Sequence, residues 1–217
     1  MRAIALGALA IFGTAAPSFA QTPPRLLFDA GPVFIGGASA GIATVTYPAA
    51  DGSLIPQFSL DKSFGPAIGV NSHLAIRVSS RVALEVTAMW ARPELRTKLA
   101  GDTDGADNET ATQSVDRFVV GAGASVGLKQ FGRWQAFARG SFGWLRELSD
   151  DQSLYQDGWN AQAGGGANFV WKEKRGHFRP YGVRTEIWLD IRHGGMSFAE
   201  KSRVIAPAIS AAMIFKL

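Results

Sequence analysis

The chain has 217 residues, of which 47% are hydrophobic, 18% are charged and none is cysteine. This length suits a single domain, and the missing cysteine excludes disulfide scaffolds, Cys-ligated metals and thiol catalysis. The formal charge is +4, but the basic residues are scattered along the chain, which argues against nucleic acid as a partner.

The first twenty residues have the pattern of a secretory signal peptide. Arg2 gives a positive start, an apolar run extends from Ala3 to Ala15, and Ser18 and Ala20 occupy the positions that a signal peptidase reads. No later stretch reaches the roughly 18 uninterrupted apolar residues of a membrane helix. We therefore predict a cleaved signal peptide over residues 1–20 and one exported domain over residues 21–217 of a Gram-negative cell envelope.

Alternation of apolar with small or polar residues recurs through the exported part and predicts eight strands. The first strand follows Arg25, carries Phe28, Ala30 and Phe34 on its apolar face, and has a bulge near Gly36. The other seven are predicted over residues 64–78, 82–90, 117–129, 134–144, 159–171, 181–191 and 205–217.

The predicted connections differ in length at the two ends of the strands. Long links at 46–60 and 97–115 and medium links at 148–157 and 193–201 alternate with short turns at 79–81, 130–133 and 174–177. Long loops at one end and tight turns at the other are typical of outer-membrane barrels, and an even strand number places both termini at the periplasmic end.

The sizes of the residues decide which face meets lipid. An eight-stranded barrel has an interior only wide enough for packed side chains or one small ligand. The apolar face of the predicted strands carries Trp, Phe, Ile and Leu, whereas the other face is mostly Gly, Ala and Ser with a few charges. We therefore predict that the bulky apolar face points outward into a membrane.

Aromatic residues fall at the ends of the predicted strands. Trp134 and Trp144 are ten residues apart on one strand, and Trp159 and Trp171 are twelve apart on the next. Ten tilted strand residues rise about 25 Å, the height of the lipid-facing band. We predict an outer girdle of Trp90, Trp144 and Trp159 and a periplasmic girdle of Trp134, Trp171, Tyr181 and Phe215. The alternative is that tryptophan simply begins and ends strands, as in many β proteins.

With these features the chain resembles the small eight-stranded outer-membrane barrels typified by the transmembrane domain of OmpA and by OmpX. The resemblance covers residues 25–217 through pattern, and the last strand, with Ile209, Met213 and Phe215, looks like the family's assembly signal. That strand ends in Leu217 where a terminal phenylalanine is usual. The resemblance implies an all-β, antiparallel up-and-down transmembrane barrel, monomeric in outer-membrane lipid, assembled by the barrel-assembly machinery and without a cofactor.

The predicted inward face carries charges of both signs. Because a lone buried charge is costly, we predict a paired network in the lumen. Its members are His73, Arg77, Glu85, Arg139, Arg184, Glu186 and Asp190. The network is interpreted either as polar packing of a closed barrel or as the gate of a narrow ion path.

Two further groups of charges lie in the predicted connections. The longest link carries a weak calcium candidate around Gly105, formed by Asp102, Asp104, Asp107 and Glu109. The glycine is at the fourth place rather than the sixth, so this is not an EF-hand loop, and a solvated acidic loop is the alternative. Basic residues gather near the short turns: Arg81, Arg133, Lys174, Arg175 and Arg179.

Little in the sequence indicates catalysis. His193 has Ser197 nearby, but the His-x-Ser strand pairing of lipid A deacylases is absent. Gly164–Gly166 has no following helix, so we interpret it as close packing in the lumen rather than a phosphate loop. We predict a non-enzymatic barrel with a structural, adhesive or loop-presenting role. The alternatives are a narrow pore, a lipid-modifying enzyme and a soluble, secreted, lipocalin-like barrel.

Overall fold

The computed structural model describes residues 26–100, 109–171, 180–196 and 203–217, so the predicted signal peptide lies outside the described residues. Within these ranges there are eleven strands. They are β1 Leu26–Ile35, β2 Ala38–Pro48, β3 Leu54–Phe64, β4 Ala67–Arg77, β5 Val82–Ala91, β6 Glu94–Ala100, β7 Thr110–Phe131, β8 Trp134–Ser149, β9 Tyr155–Val170, β10 Pro180–Gly194 and β11 Val204–Lys216. No helix in the described part is long and apolar enough to cross a membrane.

Eight of these strands close into an antiparallel barrel. Their order around the wall is β1, β4, β5, β7, β8, β9, β10 and β11, and β11 pairs with β1 to complete the circle. The first and last barrel strands meet along seven residue pairs, from Leu27 opposite Lys216 to Ile35 opposite Ala208. The prediction of an eight-stranded antiparallel barrel is confirmed.

The other three strands continue the wall beyond the barrel at its extracellular end. β2 pairs with β3, β3 with β6, and β6 with the upper part of β7, which makes a four-stranded extracellular sheet. Prediction of the segments 46–60 and 97–115 as plain links was therefore wrong in part. Register shifts at Ser39/Gly41 and at Val45/Thr46 change the phase of the alternation, so the period-two pattern is lost along β2.

Glycine or proline residues separate each extracellular strand from the barrel strand next to it in the chain. Gly36-Gly37 separates β1 from β2, and Gly65-Pro66 separates β3 from β4. Pro93 lies between β5 and β6; it has no N–H to donate, so it interrupts the ladder toward β7, while its carbonyl accepts from Val115 N–H at 3.0 Å. These glycine and proline residues therefore allow the extracellular sheet to bend away from the barrel wall at one height along the barrel axis.

The bulky apolar face points outward. On β4 the side chain of Ile68 is 72% exposed, whereas its neighbour Ala67 is 4% exposed and faces the lumen. The same alternation holds on β11, where Ile205 and Ile209 are outward and Ala206 is inward. A soluble, lipocalin-like barrel requires the opposite orientation, so this alternative is disfavoured.

The predicted girdle residues lie on the outer surface near the two ends of the wall. Trp144 on β8 is directly opposite Trp159 on β9, and Trp134 is opposite Phe169, whose ring centroid is 4.9 Å away. Trp90, Trp144 and Trp159 lie toward the extracellular ends of their strands. Trp134, Trp171, Tyr181 and Phe215 lie toward the periplasmic turns.

The three glycines of β9 lie where neighbouring strands approach each other closely. A Cβ on Gly166 would lie 1.9 Å from the carbonyl oxygen of Thr185, and one on Gly164 would lie 2.2 Å from that of Ile187. Both of these carbonyls belong to the backbone of β10, and a Cβ on Gly164 would also lie 2.5 Å from the Cβ of the luminal Trp188. The glycines thus allow neighbouring strands of a tightly curved wall to approach each other, and close packing in the lumen stays a prediction.

Candidate functional site in and above the lumen

The lumen is filled in layers that can be followed along β10. From the periplasmic end, its inward residues are Arg184 and Glu186, then Trp188, then Asp190 and Arg192. Each layer is completed by side chains from the other barrel strands. The order is thus a lower ion network, an apolar layer and an upper ion network.

The lower ion network joins five strands through three carboxylates, two guanidinium groups and one imidazole. Its members are Asp29, His73, Glu85, Arg139, Arg184 and Glu186, and all are buried. Arg184 donates from Nη1 and Nη2 to the two oxygens of Glu85 at 3.0 and 3.1 Å, and it also pairs with Glu186. Such bidentate, charge-assisted bonds offset the desolvation of the charges.

His73 and Arg139 form the other half of this network. His73 Nδ1 is 2.6 Å from Asp29 Oδ1, and its Nε2 is 2.6 Å from Arg139 Nη1. Arg139 also donates to Glu186 Oε2 at 2.7 Å and to Gln162 Oε1 at 2.7 Å. The network therefore links β1, β4, β5, β8 and β10 across the full width of the lumen, and Gln162 joins β9 to it.

Six of the seven residues predicted for a luminal network lie buried in the lumen, but they do not form one cluster. Asp190 belongs to the upper layer, where Asn160 Nδ2 donates to it at 2.7 Å. Arg77 lies at the periplasmic mouth and is only half-buried. The sequence prediction missed Asp29, because the alternation of β1 is the least regular.

The upper ion network is centred on Glu147, which is 0% exposed. Its Oε1 accepts from Arg117 Nε and from Arg192 Nη1, both at 2.8 Å, and its Oε2 accepts from the Met196 N–H at 2.8 Å. Both guanidinium groups also contact the Phe64 ring, with Cζ atoms 4.8 and 4.6 Å from its centroid. The predicted luminal network contains none of the side chains of Phe64, Arg117, Glu147 and Arg192, because each lies at or beyond the end of a predicted strand.

Apolar side chains separate and cover the two networks. Between them Trp188 is 2% exposed and packs in one cluster with Val33, Met89, Val119 and Leu145. Above the upper network lies a second buried cluster, which we call the apolar cap: Ala40, Phe64, Leu95, Val115, Met196 and Val204. Among the described residues the lumen is thus filled by alternating polar and apolar layers.

The inner face of the extracellular sheet continues upward from the apolar cap. Phe64 and Leu95 of the cap are paired on β3 and β6, and the next apolar residues on the same face are only half-buried. We call these residues the apolar extracellular face: Ala43, Val45, Phe58, Leu60 and Leu99. The opposite face of the same strands carries Ile42, Thr44 and Asp61, which are exposed.

The wall beside this face is interrupted between β2 and β11. The β1–β11 ladder ends at Ile35 and Ala208, and a last bond runs from the Gly36 N–H to the Pro207 carbonyl at 2.7 Å. Above that level β2 pairs only with β3 among the described strands. Ile205 is 55% exposed on the outer surface at the same level, which suits contact with lipid.

The remaining predicted sites are only partly described. Asp102, Asp104 and Asp107 of the calcium candidate lie outside the described residues, and Glu109 is exposed. Within the described ranges no group of three or more acidic or histidine side chains is arranged to hold a metal. His193 stacks on Trp159 with centroids 5.3 Å apart, and Ser197 is not among the described residues.

Comparisons with known proteins support the fold. No family model and no curated protein matches the chain. Among solved structures, the crystal structure of the outer membrane protein OprG from Pseudomonas aeruginosa matches with a TM-score of 0.53 and 8% identity, over 89% of this chain and 96% of that one. The solid-state NMR structure of the outer membrane protein AlkL matches with a TM-score of 0.49 and 16% identity, over 94% and 96%. The chain is a small outer-membrane β-barrel by its fold and its apolar outer surface; a specific relation to OmpA or OmpX is not confirmed.

Proposed function

We propose that this chain is a non-enzymatic outer-membrane barrel that presents its extracellular sheet to the medium and binds small apolar molecules on the apolar extracellular face. One observation carries this proposal. Val45, Phe58, Leu60 and Leu99 line a half-buried apolar surface, and the Lys62–Thr97 pair lies on the same face between this surface and the apolar cap. The reverse side of the same strands carries Ile42, Thr44 and Asp61, which are exposed. An apolar surface held open inside a sheet is suited to an apolar ligand.

The layers below this surface argue against the narrow ion pore. An ion crossing the lumen would have to separate Arg117 and Arg192 from Glu147, pass Trp188, and then separate Arg184 from Glu85. Removing one partner from a buried ion pair costs about 3–5 kcal/mol, and the lumen contains several such pairs in series. We therefore expect a barrel that is closed to ions.

The interruption between β2 and β11 supports a route for a bound apolar molecule that does not use the lumen. A ligand on the apolar extracellular face lies beside the unpaired edge of β2, next to Ile205 on the lipid-facing surface. Release sideways into the bilayer keeps an apolar solute away from both ion networks. In this account the barrel captures the solute outside and delivers it to lipid.

An adhesive role is the second candidate, and a different surface favours it. Ile42, Tyr47, Leu54 and Ile55 are exposed apolar residues on the β2–β3 hairpin. Exposed apolar residues at the tip of a surface sheet are suited to a protein partner. A lipid-modifying activity has less support, because His193 stacks on Trp159 and Ser197 lies outside the described residues.

A dye-uptake experiment tests the first candidate. A Gram-negative host producing the chain is mixed with 1-N-phenylnaphthylamine, an apolar dye that becomes fluorescent in a membrane. We expect faster fluorescence gain than in cells without the chain. Leu60→Asp should lower the chain-dependent rate about tenfold or more, because a carboxylate on this face removes apolar contact worth about 1.5–3 kcal/mol.

The matched control is Ile42→Asp, which places the same charge on the opposite face of the same hairpin. This variant should keep the rate of the unchanged chain. Both variants must show the heat-modifiable gel mobility of a folded barrel. Equal loss in both, or no chain-dependent uptake at all, contradicts the proposal and leaves the adhesive or structural role.

A further inference from the structure

We propose that the periplasmic rim of the barrel binds the anionic headgroup of an inner-leaflet phospholipid that carries both a phosphate and a hydroxyl group, the chemistry of phosphatidylglycerol. The rim consists of four cationic residues, which we call the periplasmic basic rim: Arg77, Arg81, Lys129 and Arg133. Arg77 ends β4, Arg81 lies in the turn before β5, Lys129 is near the end of β7, and Arg133 precedes β8. The inference is independent of the apolar extracellular face.

Within the described part of the chain, none of the four cations forms an ion pair. The nearest described carboxylate, Glu85, faces the lumen and is held by both Nη atoms of Arg184.

The opposite end of the barrel is different, because three of its exposed arginines have acidic partners. Arg92 pairs with Asp150, Arg96 pairs with Glu94 at 2.9 Å, and Arg146 pairs with Asp157 at 2.8 Å. The unbalanced positive charge of the described residues is therefore concentrated at the periplasmic end. Clusters of Lys and Arg at a membrane surface attract anionic lipids.

The rim lies at the depth of lipid headgroups. Lys129 Nζ is 4.8 Å from the centroid of the Phe131 ring, and Arg133 directly precedes Trp134, which is 45% exposed on the lipid-facing surface. Aromatic side chains at barrel ends mark the membrane interface, and cationic side chains beside them extend into the headgroup layer. The turn at Ser79–Arg81 is tight, so these cations do not project far into the periplasm.

A small cavity at the rim suits the head of such a lipid. It has a volume of about 50 Å³ and is lined by Arg77, Ser80 and Arg81, with Arg184 behind them. Glu85 lines it too, and its carboxylate is held by Arg184. Asn168 also lines it, and its buried Oδ1 has no hydrogen-bond partner. The two outer guanidinium groups suit a phosphate, while the unpartnered carbonyl oxygen suits a hydroxyl donor of the headgroup.

Native mass spectrometry of the full chain in detergent micelles tests the proposal. The micelles contain phosphatidylglycerol or phosphatidylethanolamine at equal concentration, and a separate arm contains inorganic phosphate alone. We expect the chain to bind phosphatidylglycerol about fivefold or more tightly than phosphatidylethanolamine. Each cation near an anionic lipid raises the affinity for that lipid about fivefold. The double variant Arg77→Gln/Arg81→Gln should lose most of that preference, whereas Arg81→Lys should keep it.

The matched control is the double variant Arg92→Gln/Arg96→Gln on the extracellular rim. It removes the same charge and should keep the lipid preference. If Arg77→Gln/Arg81→Gln does not fold, Lys129→Gln/Arg133→Gln at two exposed positions replaces it, with a partial loss expected. Equal binding of both lipids, equal loss in the control, or full competition by inorganic phosphate each overturns the proposal.

Discussion

Replacing Glu147 by glutamine probes the upper ion network most sharply. This carboxylate is fully buried and is shared by Arg117 and Arg192, each at 2.8 Å. Glutamine has nearly the same shape, so the variant opens no cavity. It leaves two guanidinium groups facing each other, and among the described carboxylates Asp190 remains nearby, 3.4 Å from Arg192 Nε.

The expected loss in the free energy of unfolding follows from this geometry. Breaking a buried ion pair by removing one partner costs about 3–5 kcal/mol, because the remaining charge stays desolvated. Two cations depend on Glu147, so the upper part of that range applies. The Arg96–Glu94 pair gives the comparison, because both side chains are about half exposed and Glu94→Gln should cost about 1 kcal/mol or less.

Urea unfolding in phospholipid vesicles measures the difference. The free energy of unfolding is obtained from tryptophan fluorescence and is checked by heat-modifiable gel mobility. We expect Glu147→Gln to lower this free energy by about 3–5 kcal/mol. A loss no larger than that of Glu94→Gln would refute the claim that the upper network is a desolvated, structural part of the closed lumen.

Three other outcomes follow from the structure. Gly166→Ala should prevent folding or lower the free energy of unfolding by about 1–3 kcal/mol, because its Cβ would lie 1.9 Å from the Thr185 carbonyl oxygen. The control is Gly140→Ala, whose Cβ would lie 3.8 Å from its nearest atom. In the same urea assay this control should unfold like the unchanged chain. Hydrogen bonds from the Ser149 hydroxyl and then from Ser153 lower the pKa of Asp151 from its ordinary 3.8 to about 2. An NMR titration should therefore show the turn around Asp151 intact at pH 3.8 and loosening as the pH falls through about 2. A titration midpoint near pH 3.8 contradicts this. In planar bilayers the intact chain should show no single-channel openings, and steady conductance would contradict the closed lumen.

The barrel was predictable from sequence because lipid imposes a strict alternation. Ile68, Val70 and Leu74 are outward, with small or polar residues between them, and no luminal contact needs to be known to see this pattern. The extracellular sheet was not predictable in the same way. Bulges near Gly41 and Val45 shift the phase of its alternation, so β2 and β3 appear as a link.

The luminal charges were predictable as a set but not as two clusters. Alternation places His73, Arg139 and Glu186 on the inward face, but it gives no height along the barrel axis. Arg117, Glu147 and Arg192 were missed because they lie at or beyond the ends of the predicted apolar pattern. Their grouping depends on the stagger between strands, which is set by pairing across the wall and not by any one segment.

The central claim is that an apolar molecule binds above the closed lumen and not inside it. Methyl NMR of the full chain in lipid nanodiscs, titrated with naphthalene, tests this most directly. We expect saturable shifts for the methyl groups of Val45, Leu60 and Leu99, and no shift for Met89 in the luminal layer or Ile42 on the opposite face. Shifts confined to Met89, or to lipid-facing residues such as Ile68, would contradict the account.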